Sequence, residues 1–254
     1  MKLFLYPNHF NEEQNRLARD IISVLEQQGN SCALSASDSE ALYGDDRKAA
    51  QAADCDLVVS IGGDGAVLRA AQPAFAADRP LIGINCGRLG YLCAIERSEA
   101  AFFNEFFEKC HISRRAMLLC ESDGGSAAAM NDVVISKKDF GLSVSLDMTV
   151  DGAICRNYRG DGIIISTPTG STAYNRSAGG PVVACDCDVL AVTPINVSAG
   201  SASPLIVRSS SVIAVSRCNE PALVFTDGQL LCPLNGTVRV SAAPRMLSLY
   251  VRDI

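Results

Sequence analysis

The stretch Leu57-Val58-Val59-Ser60-Ile61-Gly62-Gly63-Asp64-Gly65-Ala66-Val67-Leu68-Arg69-Ala70-Ala71 passes from an apolar strand pattern, through a glycine turn, into a helix pattern, and it carries a carboxylate inside the turn. A glycine turn between strand and helix is where backbone N–H groups converge on phosphate. A negative side chain does not serve that purpose, so Asp64 must face something other than bare phosphate. Beside such a turn it is placed to take a proton from an attacking hydroxyl, or to help hold a magnesium ion that offsets phosphate charge. That is kinase-like chemistry.

Outward from this stretch, the first hundred or so residues alternate short apolar runs with helical ones, the rhythm of strands covered by crossover helices. Residues 2–6 read as the first strand. Residues 11–28 repeat apolar side chains at Leu17, Ile21, Val24 and Leu25 near the helical period, with Gly29 as the stop. Leu81-Ile82-Gly83-Ile84 reads as a further strand after the glycine turn, and Ser98 starts a helix through Phe102, Phe103, Phe106 and Phe107. Those four phenylalanines read as a core face rather than as an aromatic ligand box.

Beyond about residue 113 the pattern changes to period-two alternation and tight turns, as in Leu142-Ser143-Val144-Ser145-Leu146-Asp147-Met148-Thr149-Val150 followed by Asp151-Gly152. Asp-Gly between apolar runs is a hairpin signal, and Asp227-Gly228 and Asn235-Gly236 repeat it. The expected fold is an α/β Rossmann-like N-terminal domain, residues 1–113, and a β-rich, β-sandwich-like domain, residues 114–239. The boundary rests on the change of rhythm alone, because no repeat or Pro-rich linker marks it.

The 254 residues carry 22 basic and 28 acidic side chains and a formal charge of −6, which lacks the basic footprint of a nucleic-acid binder. A phosphate ligand therefore needs a local pocket. The N-terminal apolar stretch is too short for a signal peptide and no later run approaches the ~18 apolar residues of a membrane span, so the reading is cytoplasmic with no membrane partner. Eleven cysteines in a chain of this length, without an export signal, read as free thiols. The tight pair Cys185-Asp186-Cys187 has no partner pair, and only His9 and His111 are present, so neither a zinc site nor a histidine-dependent hydrolase is expected and no protein metal ligands are assigned.

Three further segments could carry chemistry. Gly83-Ile84-Asn85-Cys86-Gly87-Arg88-Leu89-Gly90-Tyr91-Leu92 puts glycines at a strand end, where backbone can approach a ligand closely or where a loop needs positive φ. Asn131-Asp132, wedged between Ala127-Ala128-Ala129-Met130 and Val133-Val134-Ile135, either caps a bulge or binds ribose hydroxyls. The densest segment is Arg159-Gly160-Asp161-Gly162, the strand Ile163-Ile164-Ile165, and then Ser166-Thr167-Pro168-Thr169-Gly170-Ser171-Thr172-Ala173-Tyr174-Asn175-Arg176-Ser177-Ala178-Gly179-Gly180-Pro181. An apolar strand that ends in hydroxyls and glycines and opens into a short helix offers many donors and one aromatic face.

From residue 56 to residue 229 the chain resembles the NAD kinases, which transfer phosphate to the 2′-hydroxyl of the adenosine ribose of NAD. The glycine-acid turn alone is weak, since diacylglycerol kinases and phosphofructokinases carry a related one. The string from Asp161 to Pro181, in register with the other segments, is specific. The resemblance implies an NAD kinase/diacylglycerol kinase-like architecture in which the C-terminal segment, about 240–254, rejoins the first domain. It makes Asp64 the catalytic proton acceptor, with Gly65 and Arg69 in the dinucleotide and phosphate pocket. Asn131 and Asp132 would hold the adenosine ribose and base; Thr172, Ala173, Tyr174 and Ser177 would line the adenine and nicotinamide sites; Arg159, Asp161 and Gln229 would add dinucleotide contacts. The implied partners are NAD and either ATP or polyphosphate, with Mg²⁺ accompanying the donor, in a homodimer or homotetramer.

The chain departs from the family pattern at four places. Asp132 stands where a glutamate is common, Ala66 where a threonine is common, and Ser198 and Ser203 fall where a histidine and an arginine are usual. The last two losses remove donors suited to phosphate or to structural pairing. Two other readings follow the residues less closely: a non-catalytic NAD(P) sensor, and a lipid or sugar kinase using the same acid.

Overall fold

The computed structural model describes residues 1–8, 11–46, 48–87, 90–197, 203–217 and 219–252. They fall into two compact units, Met1–Arg114 with Leu247–Ile254, and Arg115–Met246.

The first unit is a sheet of β1 (Lys2–Pro7), β2 (Ser31–Ala33), β3 (Leu57–Gly62), β4 (Leu81–Asn85), β5 (Ile95–Glu96) and β6 (His111–Arg115), with helices α1 (Glu12–Gln27), α2 (Ala36–Tyr43), α3 (Asp64–Ala77) and α4 (Phe103–Phe107). Strands β2, β1, β3 and β4 pair in parallel in that order, as crossover helices require. Helix α1 is capped by the Asn11 side chain, which accepts the Gln14 N–H, and its apolar stripe Ala18, Ile21, Ile22 and Leu25 is buried. That stripe shares a core with Leu3, Leu5, Val59, Ile61, Ile82 and Ile84 of the sheet. Helix α3 buries Ala66, Val67, Ala70, Ala71 and Ala74. These small side chains let it lie close to the sheet, so close that a Cβ on Gly83 of β4 would stand 2.7 Å from the Val67 side chain.

The phenylalanine segment differs from the helix expected from its spacing. Residues Arg97–Phe102 form a 3₁₀ helix before α4, and the change of pitch turns Phe102 out to solvent, 59% exposed, while Phe103 is buried. The Phe107 ring meets Tyr250 at 4.7 Å. Tyr250 lies on the returning C-terminal strand Leu247–Val251, which pairs in parallel with β4. The return begins at Leu247 rather than near residue 240, because Thr237–Ala242 is still a strand of the second unit.

The second unit comprises β7 (Leu118–Ser122), β8 (Gly125–Ala129), β9 (Asp132–Lys137), β10 (Val144–Val150), β11 (Ile154–Gly160), β12 (Gly162–Ser166), β13 (Val189–Ile195), β14 (Leu205–Arg208), β15 (Ile213–Arg217), β16 (Ala222–Thr226), β17 (Gln229–Pro233) and β18 (Thr237–Ala242), with the short helix α5 (Tyr174–Ser177). They make two six-stranded sheets, ordered β11-β10-β15-β18-β7-β8 and β14-β13-β12-β9-β16-β17. Alternate residues of both, such as Leu146, Met148 and Val215 from one and Ile163, Ile165 and Val192 from the other, form one buried core. This is the sandwich that the period-two pattern implies.

Asp151-Gly152 and Asp227-Gly228 take positive φ at both residues and close the β10–β11 and β16–β17 hairpins. Asn235-Gly236 does not close a hairpin: β17 and β18 belong to different sheets, so this turn carries the chain from one sheet to the other. No helix among the described residues is long and apolar enough to cross a membrane.

Candidate active site

In the first unit the glycine turn joins β3 to α3 as its sequence implies, and Asp64 is the first helical residue, half-buried, with Gly63 as the N-cap. Its two carboxylate oxygens are each held by one backbone donor from the loop after β4: Oδ2 accepts the Tyr91 N–H at 2.8 Å and Oδ1 accepts the Leu92 N–H at 2.9 Å. A Cβ on Gly90 would stand 2.8 Å from Oδ1, so the loop comes this near because residue 90 has no side chain. The close backbone approach predicted for the glycine-rich segment is therefore an approach to Asp64. Arg88 and Leu89 of that segment lie outside the described residues.

Beside the turn, an open pocket is lined by Asn8, Gln14, Ile61, Gly62, Gly63, Cys86 and Gly87. Arg69, one turn along α3, donates from Nη2 to Asn8 Oδ1 at 2.5 Å, and Gly65 is exposed at the helix start. Ala66 is buried with its Cβ toward Gly62, where any added Cβ would come within 2.6 Å. The position that commonly holds a threonine thus packs on the turn.

The second unit gathers most of the remaining candidates at one end of β9 and β12. Asp132 opens β9 and pairs with Ser166, the last residue of β12, so Asn131 and the hydroxyl string that follows Ser166 are neighbours. The string sorts its side chains by direction. Inward, Thr167 Oγ1 donates to Met130 O at 2.6 Å, Ser171 Oγ donates to Pro168 O at 2.7 Å, and the buried Asn175 links Ser171 O, Pro181 O and Thr193 Oγ1. Gly170 lies against the Asn131 backbone so tightly that a Cβ would fall 2.1 Å from its carbonyl oxygen. Outward, Thr172, Tyr174 and Ser177 are exposed, Tyr174 at 45%, and Ala173 is half-buried. A fully bonded buried frame therefore presents four predicted ligand residues on one short segment.

The structure adds a residue that sequence reading took only for a turn. Asp227, at φ 47° in the β16–β17 turn, accepts the backbone N–H groups of Met130 and Asn131 at 2.7 Å each and of Asp132 at 3.1 Å. Burial holds its carboxyl above the usual range despite these three bonds. Asp132, only 5% exposed, is pushed up to about 7, chiefly by burial and then by the charge of Asp227. Gln229, two residues after Asp227, is exposed at the start of β17.

Arg159 and Asp161 do not join this cluster within one chain. Gly162 pairs with Ser136, at the opposite end of β12 from Ser166, so Asp161 lies a strand length away, about 16 Å. It is bonded by Asn196 Nδ2 at 2.9 Å and Lys137 Nζ at 2.6 Å, which hold its carboxyl below the usual range. Arg159 is exposed and donates to Ser143 Oγ at 3.4 Å. Ser203 is exposed, and Ser198 lies outside the described residues.

A parallel α/β unit with an acid in its strand-to-helix glycine turn, and a β-sandwich with a rigid hydroxyl-rich loop, define a nucleotide-binding phosphotransferase. Two family descriptions match the sequence: ATP-NAD kinase N-terminal domain over residues 8–109 and ATP-NAD kinase C-terminal domain over residues 130–251. The chain belongs to the NAD kinase family. The NAD kinase of Lachnoclostridium phytofermentans is 32% identical over 94% of this chain and 89% of its own, and that of Clostridium beijerinckii is 36% identical over 79% and 75%. In fold, the chain is similar to yeast NADH kinase complexed with NADH (TM-score 0.83, 19% identity, 100% of this chain and 84% of that one). It is also similar to an NAD kinase from Archaeoglobus fulgidus in complex with ATP (TM-score 0.75, 24% identity, 99% and 93%). Its activity is the phosphorylation of NAD to NADP, and neither a sensor nor a lipid or sugar kinase finds support in these likenesses.

Proposed function

We propose that Asp64 accepts the proton of the adenosine ribose 2′-hydroxyl as that oxygen attacks the terminal phosphorus of ATP, releasing ADP and NADP. The observation that carries this is the half-buried carboxylate fixed by the Tyr91 and Leu92 N–H groups at the head of α3. One hydrogen bond on each oxygen leaves each a further lone pair for the hydroxyl, in an orientation set before substrate arrives. The Asp64 and Gly65 N–H groups at the head of α3 precede any intrahelical acceptor, while the Ala66 N–H is taken by Gly63 O at 2.8 Å, and these first two donors offer positive potential for the transferring phosphoryl.

Asn131 and Asp132 are assigned to the adenosine ribose and base, and Thr172, Ala173, Tyr174 and Ser177 to the adenine and nicotinamide surfaces, with Gln229 beside them. Gly65 and Arg69 are assigned to the phosphate side. Arg159 and Asp161 keep a dinucleotide role by resemblance. The ATP and NADH in the two similar structures support ATP as donor and a nicotinamide dinucleotide as acceptor; polyphosphate is the alternative donor.

Among the described residues no three His, Cys, Asp or Glu side chains are grouped to hold a metal ion. This donor set suits magnesium carried by the donor's phosphates and water, with Asp64 the one carboxylate at the turn. Bound there, magnesium would offset phosphate charge. The enzyme is further assigned to the cytoplasm as a homodimer or homotetramer.

The test is to incubate purified protein with ATP, magnesium and either NAD or 2′-deoxy-NAD, coupling any NADP to a NADP-specific dehydrogenase and locating phosphate by ³¹P NMR. Phosphate is expected on the 2′-oxygen of NAD alone. A phosphorylated product from 2′-deoxy-NAD would overturn the assignment.

A further inference from the structure

Outside the candidate site, one buried cation lacks a matching anion among the described residues. Arg115 is 8% exposed, its Nε is buried without a hydrogen-bond partner, and its Nη1 donates to Cys185 Sγ at 3.0 Å. A buried guanidinium is costly unless an anion or a full set of acceptors meets it, and a neutral thiol is a weak acceptor. Cys185 also differs from most other cysteines. Of the nine cysteines whose side chains the structure describes, Cys185 and Cys187 are the exposed ones. Burial pushes Cys32, Cys93 and Cys120 up to about 12 and Cys86 up to about 11, which keeps those four as thiols near neutrality. Reactive cysteines concentrate in accessible, electropositive surroundings, and Cys185 is exposed with a guanidinium nitrogen at its sulfur.

We propose that Cys185 is an oxidation site for hydrogen peroxide, with Arg115 holding the oxidised sulfur and Cys187 resolving it. The Cys185 sulfur attacks one peroxide oxygen: an S–O bond forms, the O–O bond breaks, and the departing hydroxide takes the thiol proton to leave as water. The sulfur is oxidised by two electrons and the peroxide is reduced. The resulting sulfenic acid, on giving its proton to water, brings an anionic sulfenate oxygen to the Arg115 guanidinium, the acceptor its buried charge lacks. The Cys187 sulfur then attacks the sulfenyl sulfur: an S–S bond forms, the S–O bond breaks, and the oxygen takes the Cys187 thiol proton and one proton from water to leave as water. Residues 184–187 form one turn, closed by the Cys187 N–H donating to Ala184 O at 3.0 Å, which puts both thiols on the same small loop. Two residues upstream, the Val183 N–H donates to Ser171 Oγ at 2.9 Å, so the loop is tied to the segment that presents Thr172 to Ser177.

The full chain would be exposed to near-stoichiometric hydrogen peroxide with and without dimedone, and each cysteine mapped by peptide mass spectrometry. A Cys185–Cys187 disulfide is expected in the unmutated protein before Cys32, Cys86, Cys93, Cys110 or Cys120 reacts. The Cys187→Ser variant should accumulate a dimedone adduct at Cys185, and Cys185→Ser should leave Cys187 slow. Arg115→Gln, if circular dichroism shows it folded, should slow Cys185 oxidation by about tenfold or more. Oxidation of Cys185 no faster than that of the half-buried Cys110, or an unchanged rate in folded Arg115→Gln, would overturn the proposal. The comparison with Cys110 is made on unmutated protein and does not depend on any variant folding.

Discussion

Asp227 accepts the backbone N–H of Asp132 at 3.1 Å, and the two carboxyls, 95 residues apart in sequence, sit near enough for the charge of Asp227 to raise Asp132. With the Met130 and Asn131 N–H groups, this single side chain closes the crossing between β8 and β9, strands of different sheets. Asp227→Ala should leave three donors without their acceptor and lower unfolding stability by about 3 kcal/mol or more. Asp227→Asn, with one acceptor oxygen and an NH₂ facing N–H groups, should fall between. Urea midpoints at constant slope would read this, and a parent-like midpoint for alanine would show that water replaces the carboxylate at no cost.

Asp132 should make stability depend on pH in a defined window. Its carboxyl is raised from 3.8 to about 7, first by burial and then by Asp227, so between these values the folded chain holds a proton that the unfolded chain has lost. The stabilising contribution is complete below about pH 4, declines as pH rises, and is gone above about pH 7. Asp132→Asn should remove this part of the slope. Denaturation at half-unit intervals from pH 4 to 8 would check it, and identical slopes for parent and variant would show that Asp132 ionises freely in the fold.

The strands, the two-unit division and the glycine turn are legible in the sequence because each is written locally, as apolar periodicity or as a residue that a turn demands. Asp64 could be singled out for the same reason: an acid in a phosphate-type turn is anomalous within five residues. Asp227 could not, since its Asp-Gly turn reads the same whether or not its carboxylate has a partner 95 residues away. The two positions of Asp161 and Tyr174 illustrate another limit. They share one string, yet an intervening five-residue strand carries them to opposite ends of a sheet. Asn235-Gly236 shows the reverse error, a true turn whose flanking strands pair with others.

Asp64→Asn should reduce turnover by about 10²–10⁴-fold, the range for losing a positioned base. Of the two backbone donors now satisfied, an amide can meet only one, so the Gly90 to Leu92 loop should also loosen. Steady-state rates with NAD and ATP would be compared with hydrogen exchange at Tyr91 and Leu92. Turnover within a few-fold of the parent would leave Asp64 as a loop anchor only.

Tyr174 is 45% exposed on the rigid loop, and a ring that stacks on a nucleobase needs its face rather than its hydroxyl. Tyr174→Phe should therefore keep the Michaelis constant for NAD, and Tyr174→Ala should raise it about tenfold, within the ~1–3 kcal/mol of one stacked base. Equal constants for alanine and parent, with the fold intact, would remove the ring from the site.

Gly90→Ala separates the position of Asp64 from its chemistry. The new Cβ would stand 2.8 Å from Oδ1, closer than atoms in van der Waals contact, and the carboxylate cannot turn away without giving up the Leu92 N–H at 2.9 Å. The acid itself is unchanged, and the residue lies in a loop where an alanine costs the fold little. Since a displacement of about 1 Å at a reacting group can cost up to ~10²-fold, turnover should fall by roughly 10–100-fold while the melting temperature moves by no more than a few degrees. Because the proton acceptor is intact, raising pH should not restore the rate. Parent-like turnover in folded Gly90→Ala would mean that Asp64 tolerates displacement, and the loop donors would then have no part in positioning the base.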